Sequence, residues 1–524
     1  MLVCSRKAFA LLSSAFCAAA AIPARAAEDP QIAFIPLDDR PVTAQLPVML
    51  GRIAGQRLLL PPRASVGSYL KPGRPEQVLR WLNSSETTCA TALVASTDMV
   101  AYGGLVASRI PGVAAEDAVA RLRSLAAFKT ERPSAFVEAF GTIMRLAPTG
   151  VPRLGPAANY YATGETVDLI AQYANLPDPP QTDEQRALAA RLRQQIGSAT
   201  LDAYLATRAR NLYVDEYALQ FAAEGGFDRI VLGQDDAGPT GLHLRDIAAL
   251  EALIRRFFLG DRASIEPGAD ELGMAMVAAA FARNVGWKPS VNVSYFQYEG
   301  EKYQDPLEFA PVGVTIDRLI RLCGARHVAD GADIQLYVRL PEPAARNEEA
   351  FEHAIADDVK AGKSVAVADL SFLKGKPGED QQELANNLIA AGIAGKLDAF
   401  ASWNTTANTV GTALASAVAA GAGRRGGRYN ARAHAAFMLD RYIDDYAFHQ
   451  FVRPEINNEL RARGIDTTLL APDVALEASQ KNRALLWQYA LDLLARIYPE
   501  YSDRGLTITL PWDRTFETEI DVRL

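Results

Sequence analysis

From Gln31 onward, short unbroken apolar runs alternate with stretches whose apolar positions recur every three or four residues. Unbroken runs of this length suit strands buried on both faces, and the longer period suits helices that cover them. The runs are Ile32 to Leu37, Thr91 to Ser96, Phe136 to Met144, Ile230 to Gly233, Ala263 to Glu266, Val291 to Phe296, Ile334 to Val338, Val365 to Leu370 and Ala399 to Trp403. Between them, Thr43 to Ile53 (begun by Pro41), residues 114 to 128 and Leu242 to Phe258 carry helical periodicity. Residues 148 to 225 break the alternation. They are Pro- and Tyr-rich at first and then helix-forming from Asp183 to Phe221, too long for a strand-to-strand connection, and read as a helical insertion or lid. After the Gly-rich stretch 421 to 427 the pattern turns to long helices, Ala431 to Gly464 and Ala475 to Tyr498, and a last strand-like run, Leu506 to Leu510.

The pattern predicts an α/β fold. About nine parallel strands, one more than a closed barrel needs, point to a (β/α)8-type barrel over residues 28 to 420, with a C-terminal mainly helical region over 421 to 524. The alternative is open or tandem doubly wound parallel sheets.

The N-terminus changes the picture of where the chain works. Arg6 and Lys7 precede an apolar run from Ala8 to Ile22, and Pro23-Ala-Arg-Ala-Ala27 supplies the small residues that a signal peptidase reads. A signal peptide over residues 1 to 27, cleaved after Ala26 or Ala27, predicts a periplasmic or secreted protein without a membrane span. A net charge of -8 argues against nucleic acid and anionic lipid as partners, because Lys and Arg are not in excess. Cys89 and Cys323 outlast the leader; as thiols in a large core they are expected to be buried and free, and a disulfide is the alternative. His243, His327, His353, His434 and His449 show no zinc-ligand spacing.

In parallel α/β folds function collects at the carboxyl ends of the strands. Here those ends carry Asp38-Asp39-Arg40, Asp98, Arg145, Asp235-Asp236, Glu266 with Asp270 and Glu271 a turn later, Tyr295, Asp369 and Trp403-Asn404. Any one of these acids is more often a helix cap or an ion-pair partner. Their recurrence at nearly every strand end points instead to one acidic cleft. Asp235 and Asp236, where an apolar run opens into the glycine turn Gly238-Pro-Thr-Gly241, are the first catalytic candidates, with Glu266 and Asp270 as partners. Pro41 forces Arg40 into an extended conformation that projects its guanidinium at the sheet edge. Asp38, Asp39, Arg40, Asp98, Arg145, Tyr295, Asn404 and Asn408 are candidate substrate-binding residues, and Trp403 a stacking platform for a sugar ring. No phosphate-cradling glycine loop and no Gly-x-Ser-x-Gly elbow occurs.

Pro36-Leu-Asp-Asp-Arg-Pro41, Gln234-Asp-Asp-Ala-Gly238, Glu266-Pro-Gly-Ala-Asp-Glu271, Trp403-Asn-Thr-Thr-Ala-Asn-Thr409 and Leu510-Pro-Trp-Asp-Arg-Thr-Phe516 together resemble the uncharacterised bacterial domain-of-unknown-function family 4127. The resemblance spans the mature chain and implies a fold unit, not a reaction. Ser402-Trp403 and Thr406-Ala407 stand where glycine is more often expected in the family.

Three functions fit these residues. The first is a glycoside hydrolase, for which two carboxyl groups about 5 to 10 Å apart suffice, one protonated and one ionised, with no cofactor. The alternative is a divalent-metal hydrolase with Mg, Mn or Ca held by Asp38, Asp39, Asp98, Asp235 and Asp236, an all-oxygen set that suits hard cations. The third is a periplasmic carbohydrate- or peptide-binding protein without catalysis.

Overall fold

The computed structural model describes residues 31–150, 164–341, 348–374, 383–502 and 504–524. The signal-peptide reading and the tyrosines Tyr160 and Tyr161 of the expected lid lie outside them.

The strands are β1 (Gln31–Ile35), β2 (Arg57–Leu59), β3 (Ala92–Ser96), β4 (Phe136–Ile143), β5 (Arg229–Gln234), β6 (Ala263–Pro267), β7 (Ser290–Tyr295), β8 (Arg326–His327), β9 (Ile334–Arg339), β10 (Ser364–Asp369), β11 (Ala399–Ala401), β12 (Gly505–Thr509) and β13 (Glu519–Arg523). All the runs read from the pattern are strands. The ladders divide them between a six-stranded sheet, order β2-β1-β3-β4-β5-β6, and a five-stranded sheet, order β11-β10-β9-β7-β8, with β12 and β13 as an antiparallel pair. Every pairing within the two large sheets is parallel. The chain is thus a mixed α/β protein with two parallel sheets and many helices.

The first sheet is buried on both faces, which is why its strands read as unbroken apolar runs. Ile32, Phe34, Val94 and Val231 enter one core, while their neighbours Ala33, Ile35, Leu93 and Leu232 enter another. The helices Ala115–Glu131, Ser198–Ala223 and Leu242–Arg256 contribute to the second of these cores. The first core continues without a break into the five-stranded sheet through Val291, Leu336, Val338, Val365 and Val367.

Two helices fill the space between the sheets, Leu272–Asn284 and Thr406–Arg425. Both are apolar nearly all round and rich in alanine, the composition of helices with no face to solvent. Small residues let them approach their neighbours closely. A Cβ at Gly273 would meet the rings of Phe34 and Phe140 at 3.0 to 3.1 Å, and one at Gly411 would meet Glu271 Cγ at 2.5 Å.

Residues 148 to 225 are largely helical where described: Gly164–Ala174, Asp183–Ile196 and Ser198–Ala223 lie between β4 and β5. The expected helix Ala431 to Gly464 is Ala431–Arg441, a π-helical stretch Tyr442–Val452, and Arg453–Ala462. Its residues Phe437, Tyr442 and Phe448 belong to the core shared by the sheets. Cys323 is buried and free as expected; Cys89 is free but exposed, because it follows the short turn Ser85–Thr87 at the surface rather than entering a core. Among the described residues no helix is long and apolar enough to cross a membrane.

Candidate functional site

The carboxyl ends of β1, β4, β5, β6 and β11 open onto one cavity of about 350 Å³. The loop after β7 adds Leu307 and Glu308, and the run before β13 adds Trp512, Arg514 and Phe516. Four guanidinium groups (Arg40, Arg109, Arg145, Arg514) face four carboxyl groups (Asp235, Asp236, Asp270, Glu308) around it, with the amides of Gln234, Asn404 and Asn408 between them.

Arg40 is held as the sequence suggests, with extended backbone before Pro41 (φ -64, ψ 152). Its guanidinium bridges two acids, donating to Asp38 through Nε (3.0 Å) and Nη2 (2.7 Å) and to Asp270 through Nη1 (2.8 Å) and Nη2 (2.6 Å). Asp38 also accepts from Thr43 Oγ1 at 2.6 Å. Asp38 therefore orients Arg40 and does not itself reach the cavity wall. Burial raises the Asp270 carboxyl, with Arg40 opposing.

At the end of β5 the two acids are treated differently. Asp235 is buried and ion-paired to Arg109, which also donates to Thr149 Oγ1 at 3.3 Å. Burial alone would raise the Asp235 carboxyl; Arg109 and Arg145 hold it below the usual range instead. Asp236 takes Arg145 Nη1 at 3.2 Å, its side chain 38 % exposed against 7 % for Asp235, so Asp236 is the one a ligand can reach. Its carboxyl is raised, by burial and then by the charge of Asp235.

Glu308 and Asp305 grip the start of the helix Thr406–Arg425. Asp305 accepts from Thr406 N and Oγ1, each at 2.9 Å, and Glu308 from Ala407 N at 2.9 Å, so the helix's orphan amides are satisfied from a separate loop. Glu308 is nonetheless pushed up to about 8, by burial first and by Asp305 next. Between its ordinary value of 4.5 and about 8, the folded chain keeps a proton there that the unfolded chain has released. Each pH unit of rise in that window should lower stability by about 1.4 kcal/mol. Glu308→Gln should remove that slope, read as the change in urea midpoint between about pH 5 and about pH 8 relative to the parent chain; an unchanged slope contradicts the assignment.

On the third wall Asn404 adopts a left-handed backbone (φ 57), which asparagine tolerates better than most residues. It donates to Asn408 Oδ1 at 2.6 Å, and Asn408 donates onward to Glu271 Oε2 at 2.7 Å. Burial raises the Glu271 carboxyl well above the usual range. Trp512 closes the cavity and is itself buried, 4 % exposed. Tyr69 stacks at 5.0 Å on it, and Arg514 and Arg40 lie over the ring at 4.5 and 5.2 Å.

Of the residues expected in the site, Arg40, Arg145, Asp235, Asp236, Asp270, Asn404 and Asn408 meet there. Asp39 stands behind it, accepting from Trp512 Nε1 at 2.7 Å. Asp98 is buried behind Asp235, accepting from Thr142 N at 2.8 Å and pushed to about 7 by burial. Glu266 lines a different cavity, because strand alternation turns it away from the turn that carries Asp270. Tyr295 packs against the core. Trp403 is no open platform: it is 6 % exposed within the core, and its Nε1 donates to Thr412 Oγ1 at 3.2 Å. The five acids of the metal alternative hold separate partners. Among the described residues no group of three or more His, Cys, Asp or Glu is placed to hold a metal ion. Arg109 and Glu308 were not singled out from the sequence, and Arg514 and Phe516 only as part of the closing motif Leu510 to Phe516.

Two parallel sheets whose strand ends share a cavity lined by paired carboxyl and guanidinium groups define the class. The chain belongs to the family described as protein of unknown function (DUF4127), whose model matches residues 32–521. No curated protein matches it.

Proposed function

We propose that the cavity is the active site of an exported hydrolase that cleaves glycosidic bonds by acid–base catalysis. The observation that carries this reading is the division of proton affinity across one cavity: Glu308 pushed up to about 8, and Asp235 held low by Arg109. Two acids set apart in this way divide the roles of proton donor and ionised partner. Glu308 is the donor to the leaving oxygen. Asp236, the more exposed carboxyl, works on the opposite side of the scissile bond, and Asp235 supplies fixed negative charge beside the developing cation. Because Trp512 is buried beneath Tyr69 and two guanidinium groups, the sugar is held by hydrogen bonds to Asn404, Gln234 and Arg145, not by stacking.

The test is turnover by the mature chain of a glycoside panel and peptidoglycan fragments, with and without EDTA. Cleavage indifferent to EDTA is the expected result. Turnover lost to EDTA and restored by Mg, Mn or Ca supports the metal alternative, and sugar binding without turnover supports a binding protein.

A further inference from the structure

A second cavity, of about 740 Å³, lies at the opposite, amino ends of β4, β5 and β6. Phe136, Ala263 and Trp287 give it apolar wall, and five cations surround it: Arg229, Arg283, Lys288, Arg321 and Arg326. Its three acids, Glu138, Asp261 and Glu266, do not balance them. Glu138, fully buried, is taken by Arg283 at 2.8 Å and Arg229 at 3.8 Å. Burial raises the Glu266 carboxyl, opposed by Ser264 and by the charges of Arg318, Arg229 and Arg321. Glu266 is 4 % exposed, and its Oε2 has no hydrogen-bond partner although it lines the cavity.

Arg283 and Arg321 sit in the last turns of their helices, where a cation also offsets the helix dipole. Lys288 and Arg326 lie outside any helix, and that explanation does not reach them. Among the described residues neither they nor Arg321 form an ion pair. An unneutralised basic cavity is out of character for a chain of net charge -8.

We propose that this cavity binds a small organic anion, an oxyanion group on an apolar body, with the charge between Arg321 and Arg326 and the body against Trp287 and Phe136. Oxyanions are what guanidinium pairs recognise bidentately. The site is independent of the glycosidase reading.

Isothermal titration of the full chain with benzoate, phenyl phosphate and benzyl alcohol tests it. One or both anions should bind and the alcohol should not, and which anion binds more tightly tells carboxylate from phosphate. The double variant Arg321→Ala/Arg326→Ala removes two exposed side chains and should weaken binding about tenfold or more. Arg145→Ala, at the first cavity, should leave it unchanged. Failure of either anion to bind, equal binding of the alcohol, retention in the double variant, or loss in Arg145→Ala overturns the proposal.

Discussion

Glu308→Gln should lower kcat by about 10²- to 10⁴-fold on a glycoside with a poor leaving group, and far less on one whose leaving group departs without a proton. The glutamine keeps an acceptor for the Ala407 amide and loses only the proton. In the parent chain, activity should fall as pH rises through about 8, where Glu308 ionises, and that alkaline limb should vanish in the variant. Asp236→Asn should be costly on both kinds of substrate while leaving ligand affinity within a few-fold, because the carboxylate acts on the sugar and not on the leaving oxygen. Equal losses for the two leaving groups in Glu308→Gln would assign the donor role elsewhere. Asp98, also raised but facing Thr142, would be next to examine.

Arg40→Ala should destabilise the chain by about 3–5 kcal/mol, since it strands two carboxylates at once, buried Asp38 and part-buried Asp270. Lysine should rescue little, because one ammonium cannot span both acids as the planar guanidinium does. Adding Asp38→Asn and Asp270→Asn to the alanine variant should restore much of the loss by removing the unpaired charge. Urea denaturation reads all three, and a loss in Arg40→Ala below about 1 kcal/mol would place the network among ordinary surface ion pairs.

Much of the scaffold was legible because strands buried on both faces leave unbroken apolar runs. β2 and β8 were not, being three and two residues long with Arg57 and Arg326 exposed. How strands divide between two sheets depends on pairings between distant segments, which local periodicity does not encode. Reading strand ends placed Asp235, Asp236, Asp270 and Arg145 together, and they line one cavity. The same rule grouped Glu266 with them, although it lies inside β6 and lines a different cavity. Arg109 escaped because it follows the helical turn Leu105–Ser108 rather than a strand, and Glu308 because it lies in the loop between β7 and the helix Val312–Leu322. The acids at 305 and 308 shortly before Pro311 were the available signal. Trp512, Arg514 and Phe516 were visible as a motif, but nothing local says which cavity such a run closes.

The walls of the first cavity are contributed by residues from Arg40 to Phe516, and the contacts that fix them join positions 230 apart (Arg40 to Asp270) and 473 apart (Asp39 to Trp512). Loops of this size are slow to close and bring no return until both ends have docked. Assembly of the binding groups therefore falls late in folding, and a ligand that fits them acts as a thermodynamic brake on global unfolding rather than shielding one local segment.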